Sequence, residues 1–575
     1  MFVSEYEIID RTRIMKSLDP DSFHKFLSMF TVFQKVLPTP VLSLFNSHRD
    51  DYSYHQYSIK SVSLASISCF LLKFTLKPFI LTKSVVAKTF SVSVSQLAHF
   101  EILMFFSQFL ILISFHQQIV KHSPKFLINM TIIASSFGLI LSGLLFGLAV
   151  FKTQNSVNSM LLTVPLFMTF ILTNLLTPIS TFGVINVFRN HLSDKPRIKY
   201  SSFLTSPGFL GAVCSSFLVS YLMIFRSWTS VFTSIGVFQI GIGIFVILNL
   251  DDDNVLDEMW EGATSNAEAV GISAGNSQNH EVHENNMTKT QNSSSENIVL
   301  KTLSRNTAFT RNVTFTRDLD FDISFGGEND DCRWVFSRKN IFQNWNELIM
   351  TFKTVGVMEL AIGHLSTSCA DTMFSVWLAY FLVQESGFSV WNAGYVVMFY
   401  ELGGIFGTSV LIPIIQNLMD RSHQKNNVLP TQKTLSKLLF PLKISLILGS
   451  VCICFHKYSN FSNLVYSNQL FLQIFVIGTF ISSVNSEIYV SEICNSFMMI
   501  YDSKLKNRTI PGFRTVETVV LASGYLGRAV AVVLLSVFHQ KYPEKMLEFF
   551  VGIMVLFGSL GAMFYGRAEK RMKTL

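Results

Sequence analysis

Charged residues are scarce: Asp, Glu, Lys and Arg make up 14% of the 575 residues, against roughly a quarter in soluble globular proteins. That shortage excludes an ordinary water-soluble fold and, over most of the length, a disordered one. Cysteine is sparse too. Of seven Cys, Cys69, Cys214, Cys369, Cys452, Cys454 and Cys494 lie in or beside apolar runs, and Cys332 lies in a polar stretch. None pairs at a metal-type spacing, which excludes a secreted disulfide scaffold and a cysteine-built metal centre. The opening Met1-Phe2-Val3-Ser4-Glu5 lacks the basic start and short apolar core of a cleaved signal. Neither a glycine after Met1 nor a prenylation box at Met572-Lys573-Thr574-Leu575 is present. There is no Gly-x-Ser-x-Gly elbow, no His-Glu-x-x-His and no P-loop, so no enzymatic activity and no cofactor or metal is expected. The net charge of +7 is scattered through short loops rather than gathered on one face, which argues against a nucleic-acid partner.

What is abundant is apolar. Hydrophobic residues are 49% of the chain, Phe alone numbers 55, and mean hydropathy is +0.39. Crossing about 30 Å of hydrocarbon takes about 20 apolar residues. Six such stretches fall near 61–83, 95–117, 126–150, 158–186, 202–225 and 229–250, and six more near 354–384, 389–415, 434–456, 466–498, 513–538 and 546–566. Polar residues blur the ends of the fourth and tenth. Helices are expected throughout, since an unpaired backbone group in lipid costs several kcal/mol. The partners implied are membrane lipids.

Two sets of six around a polar stretch make an internal duplication. Phe90-Ser91-Val92 with Glu101 is echoed by Phe388-Ser389-Val390 with Glu401. The expected organisation is an N-terminal segment (1–58), a first bundle (59–250), a disordered linker (251–345), a second bundle (346–566) and a tail (567–575). Loops after even-numbered spans carry 13 Lys and Arg, among them Arg189 and Arg197, against 7 after odd-numbered spans, among them Lys83 and Lys88. That asymmetry places both termini and the linker in the cytosol. Which membrane is occupied is not specified. The linker's Asn-x-Ser/Thr triplets at Asn286, Asn292 and Asn312 would then go unmodified, leaving Asn460 as the accessible one. The stretch from Arg305 to Arg317 spaces Arg and Thr in a way kinases read, although a plain solvated linker accounts for it as well.

The run Trp377-Leu378-Ala379-Tyr380-Phe381-Leu382, then Glu385-Ser386-Gly387-Phe388-Ser389, Tyr400-Glu401-Leu402-Gly403-Gly404-Ile405-Phe406-Gly407-Thr408 and Asp420-Arg421 resembles the seventh and eighth helices of the major facilitator superfamily. Together with Gly524-Tyr525-Leu526-Gly527, Lys77-Pro78, Lys83-Ser84 and Arg226-Ser227-Trp228, it is similar to the branch of organophosphate:phosphate antiporters and sugar-phosphate exchangers. The resemblance implies an all-α membrane protein of the major facilitator fold, with 12 transmembrane helices in two six-helix bundles around a central cavity. It implies a secondary transporter, monomeric, moving a small polar or charged organic solute by alternating access. Asp420-Arg421 would latch neighbouring helices, a role the family also suggests for Glu401; the matching first-half loop, Ile119 to Pro124, lacks the pair. That branch holds phosphate with one arginine on each of the first and seventh helices. The matching positions here are Leu76 and Asp371, so phosphate-ester exchange does not carry over directly.

Charges inside the apolar spans are costly and must face protein or water. Lys77 and Asp371 stand at equivalent positions of the two halves and are expected to pair across one cavity and to engage a polar or zwitterionic solute. A purely structural pair, or a Lys77 that snorkels to the surface, would explain them equally. Arg528 is expected to supply an anion contact or to pair with Glu487 or Glu492. Lys73, one turn before Lys77, widens a basic patch. Glu101 is a candidate coupling or latching group, and a hydrogen-bonded carboxylate otherwise. The competing functions are a proton-coupled carrier of a neutral or zwitterionic solute and a transport-inactive sensor or scaffold, the latter requiring a sealed cavity.

Overall fold

A backbone in hydrocarbon satisfies its own hydrogen bonds most simply as a helix, and in the computed structural model the apolar runs are helical. The structure describes residues 52–153, 159–192, 197, 201–250, 321–324, 333–336, 347–384, 387–423, 430–458, 468–504, 513–542 and 546–574. The first set of spans comprises α1 (Tyr52–Phe90), α2 (Val94–Lys121), α3 (Pro124–Thr153), the broken pair α4 (Ser159–Leu175) and α5 (Thr177–His191), α6 (Ser206–Phe225) and α7 (Trp228–Asn249). The second begins with α8 (Glu347–Lys353), bent by 90° from α9 (Val357–Gln384). It continues with α10 (residues 390–423), α11 (Pro430–Tyr458), the pair α12 (Asn468–Ile481) and α13 (Glu487–Lys504), α14 (Phe513–Lys541) and α15 (Met546–Thr574). Among the described residues eleven helices are long and apolar enough to cross a membrane, twelve when α8 and α9 count as one span. The all-α, two-bundle architecture expected from the sequence is the one observed.

Two helices are longer than their apolar cores. Helix α1 runs on to Phe90, so Lys83 and Lys88, read from the sequence as loop cations, are helical. Helix α15 continues past the apolar run to Thr574. Hydroxyls keep α1 compatible with lipid depth: Ser68, Thr75 and Thr82 donate to carbonyls one turn back, at 2.9, 3.1 and 2.7 Å, which satisfies them within their own helix.

Packing repeats between the halves. Helix α1 packs on α6 and α3 on α7; in the second half α9 packs on α14 and α11 on α15. Across the halves, α2 meets α14 and α6 meets α10, the exchange expected of two copies of one bundle. The α1–α6 and α9–α14 contacts are backbone-close. A Cβ at Gly211 would lie 2.1 Å from the Phe70 carbonyl oxygen, and one at Gly527 would lie 2.2 Å from that of Leu365. Only glycine allows that approach. Outer faces are apolar: Phe137, Leu141, Leu144, Leu148 and Phe151 form an exposed stripe on α3, at helical spacing and suited to lipid.

The two blurred spans are broken. Between α4 and α5 the helix is interrupted at Leu176, with Pro178 in the first turn of α5. Between α12 and α13 lies a 3-10 turn, Ser482–Val484, followed by Asn485 and Ser486. Side chains from neighbouring helices bond to carbonyls at the first break: Gln108 donates to Asn174 O at 2.7 Å and Thr131 to Leu176 O at 3.2 Å. Helix α9 carries a π turn at Met373–Trp377.

The chain divides into two compact units, residues 1–251 with 343–575, and residues 252–342. The second contains the strands β1 (Phe321–Ser324) and β2 (Arg333–Phe336), paired antiparallel with Phe321 opposite Phe336 and Ser324 opposite Arg333. This hairpin departs from the structureless linker expected. Phe-Asp-Ile-Ser and Arg-Trp-Val-Phe alternate with the strand period and are rich in β-branched and aromatic residues, a signal outweighed by the polar composition around it. The Arg305–Arg317 stretch, the glycosylation triplets and the segment before residue 52 lie outside the described residues.

Candidate functional site

Both bundles contribute to a cleft with two adjoining lobes. Lys73, Leu76, Phe105, Phe209, Asn485 and Arg528 line both lobes. The larger lobe is also walled by the two broken spans, through Asn174 and Thr177 on one side and Ser486 and Glu487 on the other. Irregular backbone at membrane depth is tolerable where it lines a wet cavity, which explains why the interruptions fall there. The smaller lobe is lined by Lys77, Asp371, Ser375 and Glu401. Thus Lys73, Lys77, Asp371 and Arg528, picked out from the sequence as solute contacts, surround one space.

Their pairing differs from expectation. Lys77 bonds to Glu401 of α10 rather than to Asp371, and also donates to Ser375 O at 3.4 Å. Asp371 accepts from Tyr400 Oη at 2.7 Å and from Asn485 Nδ2 at 2.9 Å. A lysine reaching from α1 meets the α10 carboxylate, while Asp371 is held by neutral donors from α10 and the α12–α13 break. Arg528 takes Glu487, not Glu492, at 2.9 Å, and Lys73 approaches the same carboxylate at 3.5 Å. Ser368 donates to Asn485 Oδ1 at 2.7 Å, fixing which way that amide points. The cleft therefore contains three acids and three bases. Glu401, read as a helix latch, does tie two helices, but they belong to different bundles and the tie lies in the cleft wall.

Beyond the cleft, buried charged side chains make contacts at two further levels, the first through an ion pair within the first bundle whose lysine also reaches the second. Lys83 and Glu101 form an ion pair at 0% and 2% exposure. The Lys83 ammonium also donates to Val376 O at 3.2 Å and sits 3.8 Å from the centre of the Trp377 ring. Lys77 and Lys83 thus both engage carbonyls in the α9 π turn, where the wider winding leaves oxygens without their usual partners. Arg189 of α5 bonds to Glu517 of α14 at 2.9 Å and to Ser491 at 3.0 Å, and Arg197 pairs with Glu492 at 2.8 Å. Arg189 and Arg197 had been counted as loop cations; both are ties between bundles. Glu101 does not line the cleft. Asp420 and Arg421 end α10, and their side chains lie outside the described residues.

Sequence reading missed Tyr400, Asn485 and Lys83. The polar run Ser482-Ser483-Val484-Asn485-Ser486-Glu487 was a usable signal: so many polar groups inside an apolar span imply a break beside water. Nothing in one dimension marks Tyr400, since a tyrosine hydroxyl's partner is set by tertiary packing. Among the described residues no group of three or more His, Cys, Asp or Glu is placed to hold a metal ion.

Doubled six-span bundles around a charged cleft are an arrangement suited to membrane transport. A profile of the family described as Major Facilitator Superfamily matches residues 62–495, most of both bundles. The chain belongs to the Major Facilitator Superfamily, a multi-pass membrane protein whose activity is transport by alternating access. A search of curated proteins finds no match. Among solved structures, the chain is similar to two crystal structures of a bacterial homologue of the iron transporter ferroportin in its outward-facing state, the second soaked with iron. Identity is 13% in both; the alignments cover 90% and 91% of this chain and 100% of theirs, with TM-scores of 0.47 and 0.49.

Proposed function

We propose that this protein is a secondary transporter of a small polar organic solute, bound midway across the membrane by Lys73, Lys77, Asp371 and Arg528. The observation that carries the reading is that these four side chains, two from each bundle, line one cleft. Solute binding there would compete with the Lys77–Glu401 tie, loosening the contact between bundles as cargo enters. In this reading Glu101 and Glu401 serve as latching groups, and the Lys and Arg asymmetry of the loops supports a cytosolic side for both termini. The motifs of the organophosphate branch support a common ancestry with those exchangers. Leu76 and Asp371 in place of the two arginines argue against inheritance of their cargo.

The test is counterflow in proteoliposomes containing the full chain, preloaded in turn with sugars, amino acids and phosphate esters. At least one class is expected to exchange, and Lys77→Gln is expected to reduce that exchange at least tenfold. Exchange that is unaffected by both Lys77→Gln and Glu401→Gln would remove the cleft from the pathway.

A further inference from the structure

We infer that the cargo is a small amphoteric solute, its ammonium end held by Asp371 and its acidic end by Lys73 and Arg528. The inference rests on the transport reading above and deepens it by naming the substrate class. Among the cleft's ionic groups, Asp371 takes its hydrogen bonds from uncharged donors, Tyr400 and Asn485. An ionised carboxylate offers about four acceptor positions, so these donors orient Asp371 and leave room for an incoming ammonium. Lys77, by contrast, already has a carboxylate partner in Glu401, for which a solute must compete. On the other side Lys73 and Arg528 share the single carboxylate of Glu487, which leaves one positive charge in excess.

Lys73, Asp371 and Arg528 line the same smaller lobe. A carboxylate in direct contact with no cation among the described residues, and a pair of cations sharing one carboxylate, therefore face a common space. A zwitterion neutralises both at once. A singly charged solute engages only one of them and leaves the other without a direct partner. A phosphate ester brings two negative charges toward Asp371 and meets repulsion.

Full-length protein in proteoliposomes is assayed with alanine, glutamine, γ-aminobutyrate and taurine as zwitterions, lactate and propylamine as singly charged probes, and glucose 6-phosphate as the dianion. At least one zwitterion is expected to exchange, and its N-acetyl and carboxamide derivatives are expected to lose competition. Asp371→Asn should raise the KM for the zwitterion roughly 30-fold or more, with Asp371→Glu recovering part of the loss. The derivative arm uses wild type alone, so it decides the matter even if the variants misfold. Exchange of lactate or glucose 6-phosphate without any zwitterion, or competition that survives N-acetylation, overturns the inference while leaving the cleft as the pathway. Failure of Lys77→Gln to alter any exchange strikes at the pathway itself.

Discussion

Replacing Lys83 by methionine keeps the length of the side chain and removes its charge, which makes it the sharpest probe of how the bundles are held together. Three interactions go at once: the ion pair with Glu101, the hydrogen bond to Val376 O and the contact over the Trp377 ring. Stranding one member of a buried pair costs about 3–5 kcal/mol. An orphaned carbonyl costs about 1–3 kcal/mol, and a desolvated cation–π contact about 2 kcal/mol. These overlap, so Lys83→Met is expected to destabilise the folded chain by about 3–5 kcal/mol, roughly 200-fold to 5,000-fold in the equilibrium constant. Removing the stranded acid as well, in Lys83→Met with Glu101→Leu, should restore most of that. The double variant should remain about 1–2 kcal/mol below wild type because Val376 O still lacks its donor. Titration of the purified full chain with SDS, with the folded fraction read by tryptophan fluorescence, measures all four corners of the cycle. A single variant as stable as wild type, or a double variant no better than the single, would refute the assignment of a structural buried pair.

Two further outcomes are expected. Gly211→Ala should destabilise by about 1–3 kcal/mol, as overpacking does, since its Cβ would meet Phe70 O; Gly147→Ala, where a Cβ meets nothing within 4 Å, should be neutral or stabilising by about 0.5–1 kcal/mol. Melting temperatures of the two purified variants check the contrast. Arg189→Gln should loosen the tie to Glu517 and speed modification of Cys69, a thiol lining the larger cleft lobe, by a water-soluble methanethiosulfonate. Peptide mapping at Cys69 reads the rate, and no acceleration would mean that this tie does not control access.

The number, type and doubling of the spans were legible in the amino-acid order, because hydrophobic length against bilayer thickness is a one-dimensional property. Polar residues singled out the fourth and tenth spans as irregular at their ends, but not the breaks inside them. Intramembrane charge was legible for the same reason: Lys73, Lys77, Asp371 and Arg528 stand out in apolar surroundings whatever the fold does. Their partners were not. Lys77 was matched with Asp371 on the symmetry of the halves, yet reach and direction along α1 bring it to Glu401. Lys83 and Arg189 looked like loop charges because helices outrun their apolar cores when a counter-ion from elsewhere in the fold stabilises the end. An ion pair depends on the angle between helices and on which face each presents, and those follow from backbone approaches such as Gly211 on Phe70 and Gly527 on Leu365. Chain composition thus determined that charges are buried here, and tertiary packing decided which of them neutralise one another and which remain for a solute.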